Sequence, residues 1–322
     1  MNRFLALVFA AVLAAPAIAG AEPPRDPSKL KLASANVLVL DAEGDNPIYS
    51  KAADEVTPIA SVTKLMTAMV VLDANQPMDE LLDVDMQDFD FLKGSSSRLR
   101  LGATLSRREM LHLALMSSEN RAASSLARHY PGGKGAFVQA MNAKAALLGL
   151  SSTHYEDPTG LSPNNVSTAK DLARLVKAAA EYPVIREFTT TPSQYVQVEG
   201  TGQTLGFNNS NPLVKSGQWD IQLQKTGYIR EAGKCLVMMA TIASKPIVIV
   251  LLDSLGKYTR VADAQRVKHW LETGESAPAS MVMAERAPRG GIKGAASRTR
   301  LKQRVVGTFP ARMAKTKNNR NG

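Results

Sequence analysis

Ser61 and Lys64 stand three residues apart in Pro58-Ile59-Ala60-Ser61-Val62-Thr63-Lys64-Leu65-Met66-Thr67-Ala68-Met69-Val70. An alcohol is a poor nucleophile until a neighbour takes its proton, and an amine does so only when it is neutral. A lysine of ordinary pKa near 10.4 has to fall by roughly 3 units, about 4 kcal/mol, to serve as that base at neutral pH. Desolvation and a second nearby cation both push in that direction. Two later segments carry groups that fit the same chemistry: Ser118-Glu119-Asn120 and Lys225-Thr226-Gly227-Tyr228. Lys225 is the natural second cation. Ser118 can relay a proton to a leaving amine, and Asn120 can hold Lys64 and a substrate amide. Lys225 and Thr226 offer a charge and a hydroxyl to a carboxylate, while Gly227 leaves room for an extended substrate along a strand edge. The backbone N–H groups of Ser61 and Tyr228 are the candidate donors to a developing oxyanion.

These side chains need elements to hold them. Val62, Leu65, Met66, Met69 and Val70 follow the i, i+3, i+4, i+7, i+8 rhythm of an amphipathic helix, which puts Ser61 at its N-terminus and Lys64 one turn on, on the same face. Residues 35–41 read as a strand, and 48–51 as its hairpin partner across a turn-rich connection. From there to about Tyr182 the pattern is largely helical, with 105–116 and 168–176 the clearest helices. Strands return at 194–198, 203–207, 222–229, 234–242 and 247–253, and a last helix spans 259–272 ahead of Gly274. Strands at both ends of the chain around a helical middle predict an α+β fold, in which an antiparallel sheet takes its strands from opposite ends of the chain and is flanked by helices.

Taken singly, each motif is weak: Ser-x-x-Lys arises by chance, Ser-x-Asn is commonly a turn and Lys-Thr-Gly a strand end. In this order, and in these helix and strand contexts, they form the set found in penicillin-binding proteins and class A β-lactamases. The chain resembles the low-molecular-mass penicillin-binding proteins, and most closely their D-alanyl-D-alanine endopeptidase branch. The resemblance runs from about Leu30 to Gly274 and includes Lys93-Gly94-Ser95-Ser96-Ser97-Arg98-Leu99-Arg100, residues 115–123, Asp157-Pro158-Thr159-Gly160-Leu161 and residues 251–257. It implies a serine β-lactamase/transpeptidase-like fold with a helical subdomain and the active site between sheet and helices. It also implies cleavage of peptides next to D-alanine through an acyl-serine, peptidoglycan stem peptides as substrates, β-lactam antibiotics as acylating ligands, and no cofactor. In these terms Ser61 is the nucleophile and Lys64 the base. Ser118 is the third catalytic group, and Asn120, Lys225, Thr226 and Gly227 bind substrate. D,D-carboxypeptidase activity is the alternative within the family, and a non-catalytic peptidoglycan-binding protein is the alternative outside it. The carboxypeptidases usually carry a further β domain and a membrane helix, whereas only 47 residues follow Glu275 here. A class A β-lactamase needs a glutamate-bearing loop to hydrolyse its acyl-enzyme; residues 155–161 do not look like one, and Glu156 reads as a surface residue. Glu119, where aspartate is common, is expected to point away from the reaction.

The 322-residue chain is 44% apolar, enough for a substantial core. Met-Asn-Arg, an apolar run from Phe4 to Ala15 and small-x-small sites at 17–21 have the order of a secretory leader over residues 1–21, and imply a secreted, periplasmic protein with its peptidase domain at 30–275. The net charge of +10 is located in residues 276–322, with eleven Lys and Arg against Glu285; the remainder balances at 28 against 28. That composition predicts a basic, disordered tail suited to electrostatic association with an anionic envelope. It does not read as a nucleic-acid patch, since only Phe309 interrupts it with an aromatic ring and the leader pattern implies export. Cys235, the one cysteine, lies in an apolar run and reads as a small buried hydrophobe. His112, His129, His154 and His269 lack ligand spacing, so no metal is expected. The glycines from Gly200 to Gly206 read as a hairpin turn.

Overall fold

The structure, a computed structural model, describes residues 25–44, 46–91, 93–275 and 277–278. The leader at 1–21 and nearly all of the tail at 276–322 lie outside the described residues. In chain order the strands are β1 (Asn36–Asp41), β2 (Pro47–Lys51), β3 (Thr57–Pro58), β4 (Leu81–Asp83), β5 (Thr104–Ser106), β6 (Val166–Ser167), β7 (Ser193–Val198), β8 (Gln203–Asn208), β9 (Asp220–Ile229), β10 (Gly233–Ile242) and β11 (Lys245–Ser254). The helices are α1 (Lys64–Asp73), α2 (Arg107–Met116), α3 (Asn120–Arg128), α4 (Gly133–Leu147), α5 (Ala169–Ala180), α6 (Pro183–Thr190) and α7 (Thr259–Thr273).

Five strands form one antiparallel sheet in the order β2-β1-β11-β10-β9. β1, from the start of the chain, lies against β11, with Val37 opposite Leu251 and Val39 opposite Ile249. The sheet is covered on both faces, which is why β10 and β11 read as nearly unbroken apolar runs. Side chains alternate across a strand, so Val37, Val39, Leu236, Met238 and Ile249 meet Ala264, Val267 and Trp270 of α7. On the opposite face Leu38, Leu40, Val237, Val248 and Val250 join the main core with Leu65, Met66 and Met69 of α1 and Leu172, Leu175 and Val176 of α5. The segment just before β1 belongs to the α7 layer: Trp270 Nε1 donates to Asp26 O (3.2 Å), Arg25 Nε donates to Leu271 O (2.9 Å), and Leu30 and Leu32 are buried there.

The helical middle, α2 to α4 with the short β4–β5 pair, stacks on α1. α2 begins at Arg107, two residues later than its apolar rhythm predicts. Leu105 is taken into β5, and Ser106 caps the helix by accepting from Glu109 N (3.2 Å) while Glu109 Oε2 accepts from Ser106 N (2.9 Å). β7 and β8 pair only with each other, as a hairpin turning through residues 199–202 that stands apart from the main sheet. Consequently β9 is an edge strand, with one row of backbone groups unpaired by the sheet. Cys235 is buried, and burial raises its thiol pKa to about 11. No three His, Cys, Asp or Glu side chains cluster as a metal site among the described residues, and no helix there is long and apolar enough to cross a membrane.

Candidate active site

Ser61 lies in a one-turn 3-10 segment, Ala60–Thr63, that leads directly into α1 and packs on β9. This is the helix N-terminus expected from the apolar pattern. Ala60, immediately before it, is held at φ 48°, and Ser118 at φ 63° in the turn between α2 and α3. Left-handed backbone at a residue with a side chain costs about 1–3 kcal/mol and persists only where the surroundings enforce it. At Ala60 the enforcement is visible. A Cβ on Gly160 would lie 1.9 Å from Ala60 O, and one on Gly227 would lie 3.0 Å from Ile59 O and 3.1 Å from Ser61 N. The backbone at Ser61 is therefore clamped between the Gly160 loop and the β9 edge strand.

Lys64 is fully buried, and its Nζ donates to Ser61 Oγ (2.9 Å), Asn120 Oδ1 (2.7 Å) and Thr159 O (2.6 Å). Burial lowers its pKa to about 7, against the opposing pull of the Asp157 and Glu119 carboxylates. Desolvation thus does most of what the motif spacing assigned in part to a second cation. Lys225, also fully buried, is itself held well below the ordinary lysine range, first by burial and then by the charges of Lys64 and Arg260. Repulsion between two ammonium groups is mutual, but here the same burial acts on both lysines and is the larger effect.

The sequence-predicted residues converge on one cleft. Lys225 Nζ donates to Ser118 Oγ (2.9 Å) and to Thr226 O (3.0 Å), so Lys225 ties the sheet wall to the helical wall. Thr226 Oγ1 donates to Ser210 Oγ (2.7 Å), and this hydroxyl pair stands beside Lys225, in the second half of β9. Asn120, the first residue of α3, donates from Nδ2 to Ser95 Oγ (3.0 Å) while its Oδ1 accepts from Lys64. Tyr228 follows Gly227 on the edge strand with its side chain exposed. Glu156 is exposed and accepts from Ser162 Oγ (2.9 Å), away from the reaction.

Glu119 departs from expectation. It is buried, caps α3 by accepting from Arg121 N (3.2 Å), hydrogen-bonds Ser97 and interacts electrostatically with Lys64. Burial raises its carboxyl pKa despite those partners. The motif showed the residue type but not the burial of the side chain or its hydrogen bond to Ser97. Sequence reasoning also missed the Thr159 carbonyl, Ser95 and Ser210. The first two fall in segments that carried the family resemblance; Ser210 had no signal.

Thr159 O is aimed by its own loop. Asp157 Oδ1 accepts from the N–H groups of Thr159 (2.5 Å) and Gly160 (2.7 Å), and Asn165 Nδ2 donates both to Asp157 O (2.8 Å) and to Thr63 Oγ1 (3.0 Å). On the other side of the sheet edge, Arg260 Nη1 donates to Gly227 O (2.7 Å) and Cys235 O (3.2 Å), bracing the strand that bears the Lys-Thr-Gly motif.

The D-alanyl-D-alanine carboxypeptidase family model matches residues 22–256 of this chain. The chain belongs to this family of serine peptidases. Among curated relatives, the D-alanyl-D-alanine endopeptidase of Pseudomonas aeruginosa is 51% identical over 278 residues, covering 85% of this chain and 90% of that protein. The D-alanyl-D-alanine endopeptidase of Escherichia coli is 49% identical, with 85% and 88% covered. Among solved structures, a Streptomyces DD-transpeptidase superposes with a TM-score of 0.70 at 28% identity, covering 76% of this chain and 98% of that one. The α+β fold expected from the sequence is thus the fold of the family, the serine β-lactamase-like fold.

Proposed function

We propose that the protein is a serine D-alanyl-D-alanine endopeptidase that opens peptidoglycan peptide cross-links through an acyl-Ser61 intermediate. The observation that carries this reading is the buried Lys64 amine, 2.9 Å from Ser61 Oγ and with its pKa brought to about 7, a base that is half neutral at neutral pH. Neutral Lys64 takes the Ser61 proton as Oγ attacks the carbonyl carbon of a D-alanyl residue. The backbone N–H groups of Ser61 and Tyr228 receive the oxyanion. The proton taken up by Lys64 is relayed through Ser118, whose oxygen is held by Lys225 Nζ, to the leaving amine as the C–N bond breaks. Water then hydrolyses the ester. The Thr226 and Ser210 hydroxyls, with Lys225 behind them, bind the carboxylate of the leaving residue, and Gly227 lets the substrate lie along β9 as an added strand. The two endopeptidase relatives near 50% identity support cross-link cleavage over removal of a terminal D-alanine.

A muropeptide digest of purified cross-linked cell wall, with Ser61→Ala beside the parent, tests the assignment. Release of monomeric muropeptides by the parent alone is the expected result. Release of terminal D-alanine alone would make the protein a carboxypeptidase, and no labelling of Ser61 by a fluorescent penicillin would make it a non-catalytic wall-binding protein. The reading also places the mature protein outside the cytoplasm, in the periplasm, on the strength of the leader pattern in residues 1–21; N-terminal sequencing of the exported protein checks it.

A further inference from the structure

The active-site cleft has two ends, and only one is used by the chemistry above. A peptide with its carboxylate-bearing end at Thr226 and Ser210 and its reacting carbonyl between Ser61 and Tyr228 runs antiparallel to β9. Its acyl-donor part therefore continues past Tyr228 toward the turn at residues 230–232. There Lys93 Nζ and Glu231 Oε1 form an ion pair at 2.6 Å. Lys93 begins the segment whose Ser95 and Ser97 hold Asn120 and Glu119, and Glu231 sits in the turn that joins β9 to β10. The pair thus links the two walls of the cleft at its acyl-donor end.

The surroundings are basic. Arg230, Lys234 and Lys257 stand nearby, with Lys234 Nζ 3.7 Å from the centre of the exposed Tyr228 ring and its pKa lowered by burial and by the charges of Arg260 and Lys257. Asp90, the single acidic residue of the 89–95 segment, accepts from the N–H groups of Lys93 (2.8 Å) and Ser95 (2.8 Å). The side chains of Lys93 and Glu231 remain 29% and 39% exposed. An ion pair that touches solvent contributes little net stability, so one of its partners exchanges readily for another of like charge.

We propose that the Lys93–Glu231 pair is an exchangeable clasp, in which a carboxylate on the acyl-donor chain of the substrate replaces Glu231 on Lys93 and makes Lys93 a specificity-determining residue for anionic donor peptides. The inference rests on the peptidase reading above. Exchange brings a second carboxylate to the clasp, and the displaced Glu231 side chain, already 39% exposed, is taken up by water and the neighbouring charge of Arg230.

The test uses two synthetic cross-linked peptides, in each of which a D-alanyl carbonyl is joined to the side-chain amine of a second peptide, identical except that one donor-side residue carries a free carboxylate in one and a carboxamide in the other. The protein as it stands is expected to prefer the carboxylate through a lower KM, by about two- to fivefold, and added salt should shrink the preference. Lys93→Gln should abolish the preference by raising KM for the carboxylate peptide with little change in kcat. Glu231→Gln, which frees Lys93, should lower KM for the carboxylate peptide and leave the carboxamide peptide as it was. Labelling of Ser61 by a penicillin with an uncharged side chain reports in each variant that the site is folded. If both variants label and the carboxylate preference is the same in all three proteins, the clasp proposal is overturned while the peptidase reading stands. If the parent protein neither labels nor cleaves either peptide, the peptidase reading itself falls, and the clasp with it.

Discussion

At Lys64, three hydrogen-bond acceptors surround an amine that burial has stripped of water, and the consequence is a base whose protonation changes near neutrality. Because the pKa is lowered to about 7, the neutral and competent form is lost as pH falls through that value. Acylation of Ser61 by a labelled penicillin should accordingly rise from pH 6 to pH 8 with a midpoint near 7 and then level off. Glu119 opposes this shift, since its carboxylate favours the charged lysine. Glu119→Gln should therefore move the midpoint of the same profile to lower pH, whereas an unmoved midpoint would mean that Glu119 acts only as a cap for α3. Removal of the base is a larger insult. Lys64→Ala should reduce the acylation rate by about a thousandfold, and Ser118→Ala by roughly ten- to a hundredfold, because water can partly relay the proton that Ser118 carries. Equal losses in stopped-flow acylation would show that the two residues work as one unit.

The elements hold this geometry through close backbone approaches. Gly160, at φ 81°, lies where a Cβ would come within 1.9 Å of Ala60 O, and Gly227 lies where one would press at 3.0 Å on Ile59 O and Ala60 Cβ. Gly160→Ala meets both a left-handed backbone penalty and a clash that no flexible side chain can relieve; it should cost about 3 kcal/mol, read as a lowered urea midpoint. Gly227→Ala sits in an extended strand, where only tenths of an ångström are needed. It should cost about 1 kcal/mol in stability, yet slow acylation disproportionately because the displaced atoms adjoin Ser61 N. If the two substitutions were equally destabilising, the Gly160 loop would be looser than its contacts imply. Period-3.6 and period-2 patterns found α1, α5, α7 and the strands β7 to β11 to within a few residues, because both are local rules. The start of α2 was misplaced because the Ser106–Glu109 capping box outranks the apolar rhythm at Leu105.

On the scale of the whole molecule, charge is distributed unevenly: residues 276–322 hold the entire +10 while the rest of the chain is balanced. We propose that this tail tethers the enzyme to the anionic envelope, where it raises the local concentration of peptidase near its substrate. Such attraction is screened by salt. Deleting residues 276–322 should weaken co-sedimentation with isolated envelope at low ionic strength while leaving penicillin acylation of Ser61 at its full rate. Equal sedimentation of the truncated and full-length proteins would reduce the tail to a solubilising segment.

The order of residue types along the chain already specifies which chemistry is available. A hydroxyl and an amine one helical turn apart, and a Lys-Thr-Gly on a strand, are specified by residue type and by spacings of one to three residues, and such spacings fix relative position within any helix or strand. It also determined that the sheet would join the two ends of the domain, since apolar strand runs occur only there. The tertiary structure alone decided what those groups become. Lys64 meets Thr159 O across 95 residues of chain, Lys225 meets Ser118 across 107, and Lys93 meets Glu231 across 138. Desolvation, which turns Lys64 into a base near neutral pH, depends on every element that packs around it and is encoded in no single segment. The same holds for Glu119, which reads as a bystander in a three-residue motif and in the fold is buried, hydrogen-bonded to Ser97 and within the field of Lys64.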